Sequence, residues 1–448
     1  MKFSYEPKWE ISDKRIVKLD NLRSKLNLNL AMLQTQSFGD PNSAISLETI
    51  KSSNAVLNKL NRDVSQLINK RFNLFDRLLL KDIKENSRIS CAYMEYFYDL
   101  KSEMKIGKFI SEVFKNTSYT NLLQSVTPKN FPHKDLHDYY KELHHFASKM
   151  FDVSVISNSL NSLTFNKLKN EFQDKLNEER GFVDDFYDWL GIDLRSSNHK
   201  FEFAPAGWQF SMWDGSNLLA SIDPERLVYY KDDSGNYKFF DGFIKLVGTH
   251  ELGHGVEDAL TKRTMPKGLS PSSEEFFTII HSPASEGVCV LIEDLTIRFM
   301  KENKQKLNFS DKDIKICELF MKTYIPKKMP QVIHDLLERK ETEGIYSKEI
   351  PENFKKSSHP ELVNLTGVKS YLNDFYSLDD RPLNETLLQI CYFSGEKRIQ
   401  KLFNKMKKNG IEDKVAIHSL LNGFWCSPEA QEKFIFDLYL PKILGNRK

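Results

Sequence analysis

The chain has 448 residues and a mass of 52.3 kDa, room for about two to three average domains or one large body, which excludes a peptide hormone or a minimal binding module. With 40% apolar and 28% charged residues it has the balance of a chain that folds around a core, not that of a disordered one. Lys and Arg total 64 against 62 Asp and Glu, so a formal charge of +2 supplies no field to draw nucleic acid or an anionic membrane.

Five cysteines, Cys91, Cys289, Cys317, Cys391 and Cys426, are widely spaced and form no Cys-x-x-Cys pair, a usage that fits a reducing compartment. The first residues, MKFSYEPKWEISDKR, lack the apolar core of a secretory signal, and no later run approaches the ~20 apolar residues of a membrane span. The expectation is a soluble, cytoplasmic protein, with export by a signal-independent route left open.

In chain order, Ile11 to Asp193 is rich in Leu, Lys, Asn and Phe and poor in glycine. Leu57, Leu60, Val64, Leu67 and Ile68 recur at helical spacing and predict one buried stripe. Breaks at Ser37–Ser46 and Thr127–Pro132 divide this region into several helices. Between Arg195 and Phe240 the texture changes to glycine, tryptophan and aromatic runs. This texture predicts a small sheet, with Asp233-Ser234-Gly235-Asn236 between two aromatic-rich runs as a hairpin turn. After Gly242 helical periodicity returns and continues to Pro441, with interruptions at Pro266, Pro283 and Pro351 to Pro360. The predicted fold class is mainly α, a large helical body with a small β-sheet just ahead of residue 250. Residues 1–200 form an N-terminal helical region and 201–448 a catalytic region, the two packing as lobes around a cleft.

The local pattern with the most chemistry is His250-Glu251-Leu252-Gly253-His254. Histidines at i and i+4 project from one helix face about a turn apart, where two neutral imidazoles can take two corners of a zinc tetrahedron. Glu251 between them is placed to take a proton from an attacking water and pass it to a leaving amine. With 11 His and 62 acids in the chain, chance supplies at most roughly 0.04 such matches. The bland alternative is an amphipathic helix whose histidines pack or face water. Against it, Phe243, Leu246 and Val247 precede His250 at helical spacing, so the histidines extend an inward stripe. Gly253 and Gly255, poor helix formers, predict close approach of another helix or of substrate.

A hydrolytic zinc site needs a third protein ligand and an open position. Glu286, at the head of SEGVCVLIEDL after Pro283, is the leading candidate, with His281 as a competitor. Glu293, seven residues on, returns to nearly the same face, so Glu293 or Asp294 could orient a ligand from behind. Cys289 in this Val/Leu/Ile run reads as a small core residue.

HELGHG, followed some thirty residues later by a Glu-x6-Glu helix, resembles the helical gluzincin zinc peptidases, above all the thimet oligopeptidase and oligoendopeptidase F family. The resemblance covers about residues 205 to 400. It implies one zinc ion per chain and peptide or unstructured protein as substrate. It also implies a β-pair, AGWQFSMW and NLLASI, whose edge strand at Asn217, Leu218, Leu219, Ala220 and Ser221 holds the substrate backbone. Tyr392-Phe393-Ser394-Gly395 resembles the family's late Tyr-x-x-Gly element, making Tyr392 the oxyanion donor, with Tyr371, Tyr376 and His418 as substitutes. One departure is plain: those enzymes usually carry a third histidine three residues after the second ligand, where this chain has Glu257. The Glu-Gly opening of SEGVCVLIE also resembles a bacterial family of helical metallopeptidases that includes carboxypeptidases.

The expected function is therefore zinc-dependent peptide hydrolysis, oligopeptidase-like, with no nucleic-acid or membrane partner. The alternatives are a metallocarboxypeptidase, or a highly selective protease or non-catalytic binding protein on the same scaffold. The basic runs Lys322–Lys328 and Lys405–Lys408, and Arg381, are candidates to capture a C-terminal carboxylate, although such runs are usually solvated faces.

Overall fold

A computed structural model describes residues 2–36, 47–68, 72–97, 162–195, 197–203, 210–213, 217–222, 229–231, 237–239, 241–269, 282–311, 314–315, 317–318, 321, 382–423 and 426–445. The architecture is mainly helical with small sheets, as the sequence predicts. Three helices come first: α1 (Lys14–Gln36), α2 (Leu47–Ile68) and α3 (Leu74–Phe97). Helix α1 ends at Gln36 and α2 begins at Leu47, and the predicted break at Ser37–Ser46 between them lies outside the described residues. On α2 the predicted stripe is inward, with Leu57, Leu60 and Val64 buried and Leu67 and Ile68 partly so. Thr127–Pro132 and Pro351–Pro360 lie outside the described residues.

Helix α4 (Ser162–Trp189) ends in the aromatic run Phe182, Phe186, Tyr187 and Trp189. Phe182 and Phe186 meet Phe299 edge-on at 5.6 and 5.7 Å, and Trp189 meets it at 5.7 Å. This aromatic nest fastens α4 to the helices that carry the candidate site.

The strands follow. β1 (Lys2–Phe3) pairs antiparallel with β2 (Ile192–Asp193), returning the N-terminus to the middle of the chain. β3 (Asn198–Phe203), β4 (Phe210–Trp213) and β5 (Asn217–Ile222) form a sheet of order β3-β5-β4, and β6 (Tyr229–Lys231) pairs antiparallel with β7 (Tyr237–Phe239). Those two strands flank the predicted turn at Asp233–Asn236, which itself lies outside the described residues. The β4–β5 pair was legible in the sequence only through the family resemblance, and β3 was not legible. It runs parallel to β5 from Asn198↔Asn217 to Phe203↔Ile222, and β4 pairs antiparallel on the other side.

Then come α5 (Asp241–Thr264), α6 (Ser282–Glu302), α7 (Pro382–Lys408), α8 (Asp413–Gly423), α9 (Pro428–Lys433), a π-helical stretch Phe434–Tyr439, and α10 (Leu440–Gly445). Helix α5 stops just before Pro266, and Pro283 sits in the first turn of α6, where its missing N–H costs nothing. One hydrophobic core runs through residues of both halves of the chain, from Trp9 and Leu57 through Phe186 and Val256 to Leu420 and Phe434. Trp9 is stacked on Phe75 at 5.5 Å and meets Phe434 at 5.2 Å, joining the two ends of the chain. Among the described residues no helix is long and apolar enough to cross a membrane.

Candidate metal centre

Helix α5 is buried nearly all round. Ile244, Leu246, Leu252, Val256, Ala259 and Leu260 join the core, while Thr249, His250, Glu251 and Glu257 are buried polar residues. Burying that many polar groups is unfavourable unless each is matched, and most of the matching groups lie on α6. Thr249 Oγ1 meets Thr296 Oγ1 at 2.9 Å, His250 meets Glu293, Gly253 faces Cys289 and Ile292, and His254 meets Ser285. Partner numbers fall along α6 as they rise along α5, so the two helices run antiparallel. A Cβ at Gly253 would stand 2.9 Å from Cys289 Sγ and 3.0 Å from Ile292 Cδ1; its glycine is required by the close approach of α6. From α4, the Tyr187 hydroxyl donates to the Thr249 carbonyl at 2.6 Å and fastens the helix one residue before His250.

The hydrogen bonds decide where the imidazole protons sit. His250 Nδ1 is 2.7 Å from Glu293 Oε1, an acceptor, so Nδ1 carries hydrogen. His254 Nδ1 is 2.7 Å from Ser285 Oγ, whose single proton goes to Glu257 Oε2; the serine must therefore accept from Nδ1–H. In the neutral rings both Nε2 lone pairs are then free, and they face each other at 3.3 Å. Glu286 Oε2 lies 3.5 Å from each Nε2, buried and without a hydrogen-bond partner.

Three lone pairs thus converge on a triangle with edges of 3.3, 3.5 and 3.5 Å. A tetrahedral ion with bonds of about 2.0–2.1 Å has edges of about 3.3–3.4 Å, so the residues fit zinc. Without a cation such lone pairs repel, and the alternative is a proton. Burial opposes the charged imidazole, but the neighbouring carboxylates of Glu286 and Glu293 outweigh it and hold His250 up at about 10. Burial likewise raises Glu286, and His254 and His250 overcome it, drawing the carboxyl down to about 2. The pocket demands positive charge, which either protons or a metal ion can supply. The side chain of His254 is 22% exposed and that of Glu286 14%, while Glu286 Oε2 itself is buried.

Cys289 offers a second grouping, since ligand atoms of His250, His254 and Cys289 lie within 4.8 Å of one another. Its sulfur, however, is 3.4 Å from His254 Nδ1, the nitrogen already committed to Ser285 and on the far side of the ring from the triangle. Burial also pushes the thiol well above its ordinary value, disfavouring the thiolate that would bind metal. The His250, His254, Glu286 grouping has the better geometry.

Of the other predicted residues, Glu251 is buried beside His250. Tyr392 on α7 stands next to His250, with ring centroids 6.2 Å apart. Its position follows from a glycine contact absent from the sequence reading: a Cβ on Gly287 would lie 2.4 Å from the Gly395 backbone. Gly287 adjoins Glu286, and Gly395 is one turn beyond Tyr392. The two glycines let α6 and α7 touch backbone to backbone, which brings Tyr392 to the histidines.

Three expectations need correction. Of Glu293 and Asp294, it is Glu293 that meets His250; Asp294, turned about 100° round the helix, is exposed. The strand at Asn217, Leu218, Leu219, Ala220 and Ser221 is not an edge. β5 is the central strand, its backbone paired with β3 on one side and β4 on the other, so no peptide can add there. His418 is a core residue on α8, its Nε2 donating to the Leu190 carbonyl at 3.2 Å and its ring against Tyr5 at 5.1 Å, so it is no substitute for Tyr392. His281, Tyr371, Tyr376, Arg381 and Lys322–Lys328 lie outside the described residues. Ser285 was missed by sequence reasoning, although its place directly before Glu286 was a signal.

Compared with known proteins, the chain matches no family model, no curated protein and no solved structure.

Proposed function

We propose that the protein is a zinc-dependent metallopeptidase that hydrolyses peptides or unstructured protein segments. One observation carries this reading: the two Nε2 lone pairs and the orphaned Glu286 oxygen converge at tetrahedral edge lengths, with Glu251 one residue from the first histidine. The resemblance of HELGHG and the Glu-x6-Glu helix to gluzincin peptidases supports it, as does the aromatic ring of Tyr392 beside His250.

His250, His254 and Glu286 would hold the ion, and Glu293 and Ser285 would fix the two rings behind it. Zinc in such a site activates water and polarises the scissile carbonyl. Glu251 takes the proton of the attacking water on its carboxylate and delivers it to the leaving amine. The Tyr392 phenol donates a hydrogen bond to the developing oxyanion. With β5 enclosed, an extended substrate pairs with β4 (Phe210–Trp213), whose outer edge is unpaired among the described residues and which packs on α5. The described cysteines Cys91, Cys289, Cys317 and Cys426 are all buried, which fits action in the cytoplasm.

Mass-spectrometric mapping of cleavages in a diverse peptide mixture, comparing zinc-loaded wild type with Glu251→Gln, tests the reading. Interior cuts made by the wild type alone are expected. Stepwise trimming from the C-terminus would replace the oligopeptidase by a carboxypeptidase, and identical peptide maps from both proteins would remove peptide hydrolysis.

A further inference from the structure

Glu257 occupies the position where the resembling peptidases carry a histidine, and it is 1% exposed. Its Oε2 accepts from the Ser285 hydroxyl, and its Oε1 is buried without a hydrogen-bond partner. A carboxylate so enclosed is unfavourable unless positive charge lies close by. The nearest group able to transmit such charge is His254, whose Nδ1 is 2.7 Å from Ser285 Oγ and 3.5 Å from Glu257 Oε2.

We propose that Glu257 and Ser285 act in series as positioning residues for His254: Glu257 orients the serine hydroxyl, and the serine oxygen fixes Nδ1–H and turns Nε2 to the metal. This inference rests on the zinc reading and deepens it. Glu293 does the same for His250 directly, at 2.7 Å from Nδ1. The two ligands are therefore held differently, one by a carboxylate and the other through an intervening hydroxyl. A serine, unlike a carboxylate, can either give or accept the hydrogen bond. Only Glu257, by claiming the hydroxyl proton, forces it to accept. Without Glu257 the hydroxyl is free to donate to Nδ1, which would move the ring proton to Nε2 and block the metal-facing lone pair. Ser285 also adjoins Glu286, so one short segment at the start of α6 supplies the third ligand and sets the second.

The test is zinc affinity by chelator competition for wild type, Ser285→Ala, Glu257→Gln and the double variant, with melting of each metal-free protein measured in parallel. Each single variant is expected to raise the zinc dissociation constant by about 10–100-fold. Because the residues act in series, the double variant should lie within about twofold of the worse single one, and metal-free melting should change less than zinc affinity. Ser285→Ala binding zinc as tightly as a zinc-binding wild type, or losses that multiply in the double variant, would overturn the inference and leave the peptidase reading standing. Zinc binding with the expected losses but without peptide hydrolysis would uphold the positioning role and sink the peptidase. A wild type that binds no zinc would overturn both.

Discussion

Glu251 and Glu286 both stand beside the histidines, and substitution separates their parts. Glu251→Gln removes a proton carrier but no ligand. It should keep zinc near wild-type stoichiometry and lower turnover about a hundred- to ten-thousandfold. Glu286→Ala removes the oxygen that faces both Nε2 atoms and should lose metal and turnover together, read by metal analysis and by peptide assay. The three residues of the His-Glu-x-x-His pattern were legible because helical geometry alone puts i and i+4 on one face. Glu286 and Glu293 were legible because seven residues make about two turns. Asp294 was misread because adjacency in sequence is a 100° rotation on a helix. The link from Glu257 through Ser285 was hidden, since it joins two helices and depends on which of three groups owns a proton.

At the scale of elements, glycine sets the spacing of α5, α6 and α7. Gly287→Ala would drive a methyl into the Gly395 backbone, 2.4 Å away, where no flexible side chain can yield. It should cost roughly 1–3 kcal/mol or more in urea unfolding and move Tyr392 away from His250, so turnover falls as well. Phe299, edge-on to both Phe182 and Phe186, holds α6 against α4. Phe299→Ala should lower unfolding free energy by about 3–5 kcal/mol. The helices were readable from periodicity, and the β4–β5 pair only through the family resemblance. Which strand is central was not readable, because strand order follows from tertiary pairing; Asn198–Phe203, placed parallel beside β5, converted an expected edge into an interior strand.

For the whole molecule, the two ends of the chain close on the site-bearing helices. β1 pairs with β2, Trp9 N–H donates to the Thr264 carbonyl at the end of α5, and His418 on α8 sits under Phe3 and Tyr5. Burial lowers the His418 imidazole to about 4, with the bond to Leu190 acting the other way. The sign follows from proton binding: between about 6.5 and 4 the unfolded chain holds a proton at this residue that the folded chain refuses. Stability is therefore unaffected by His418 above about pH 6.5, falls as pH drops from 6.5 to 4, and levels off below 4 after a loss of up to about 3 kcal/mol. His418→Gln should flatten that part of the acid unfolding profile, measured by urea melts from pH 7 to 4. This closure was not legible from sequence, since nothing local in the first residues or in Asp413–Gly423 specifies that they meet.

Zinc K-edge X-ray absorption of the zinc-loaded protein tests the metal centre most directly, because it separates the two groupings that share His250 and His254. With His250, His254 and Glu286 as ligands, the first shell contains only nitrogen and oxygen at about 2.0–2.2 Å, with the outer-shell pattern of two imidazoles. A sulfur neighbour at about 2.3 Å would put Cys289 on the metal, and with it would fall the orientation of His254 and the hydrolytic centre built on it.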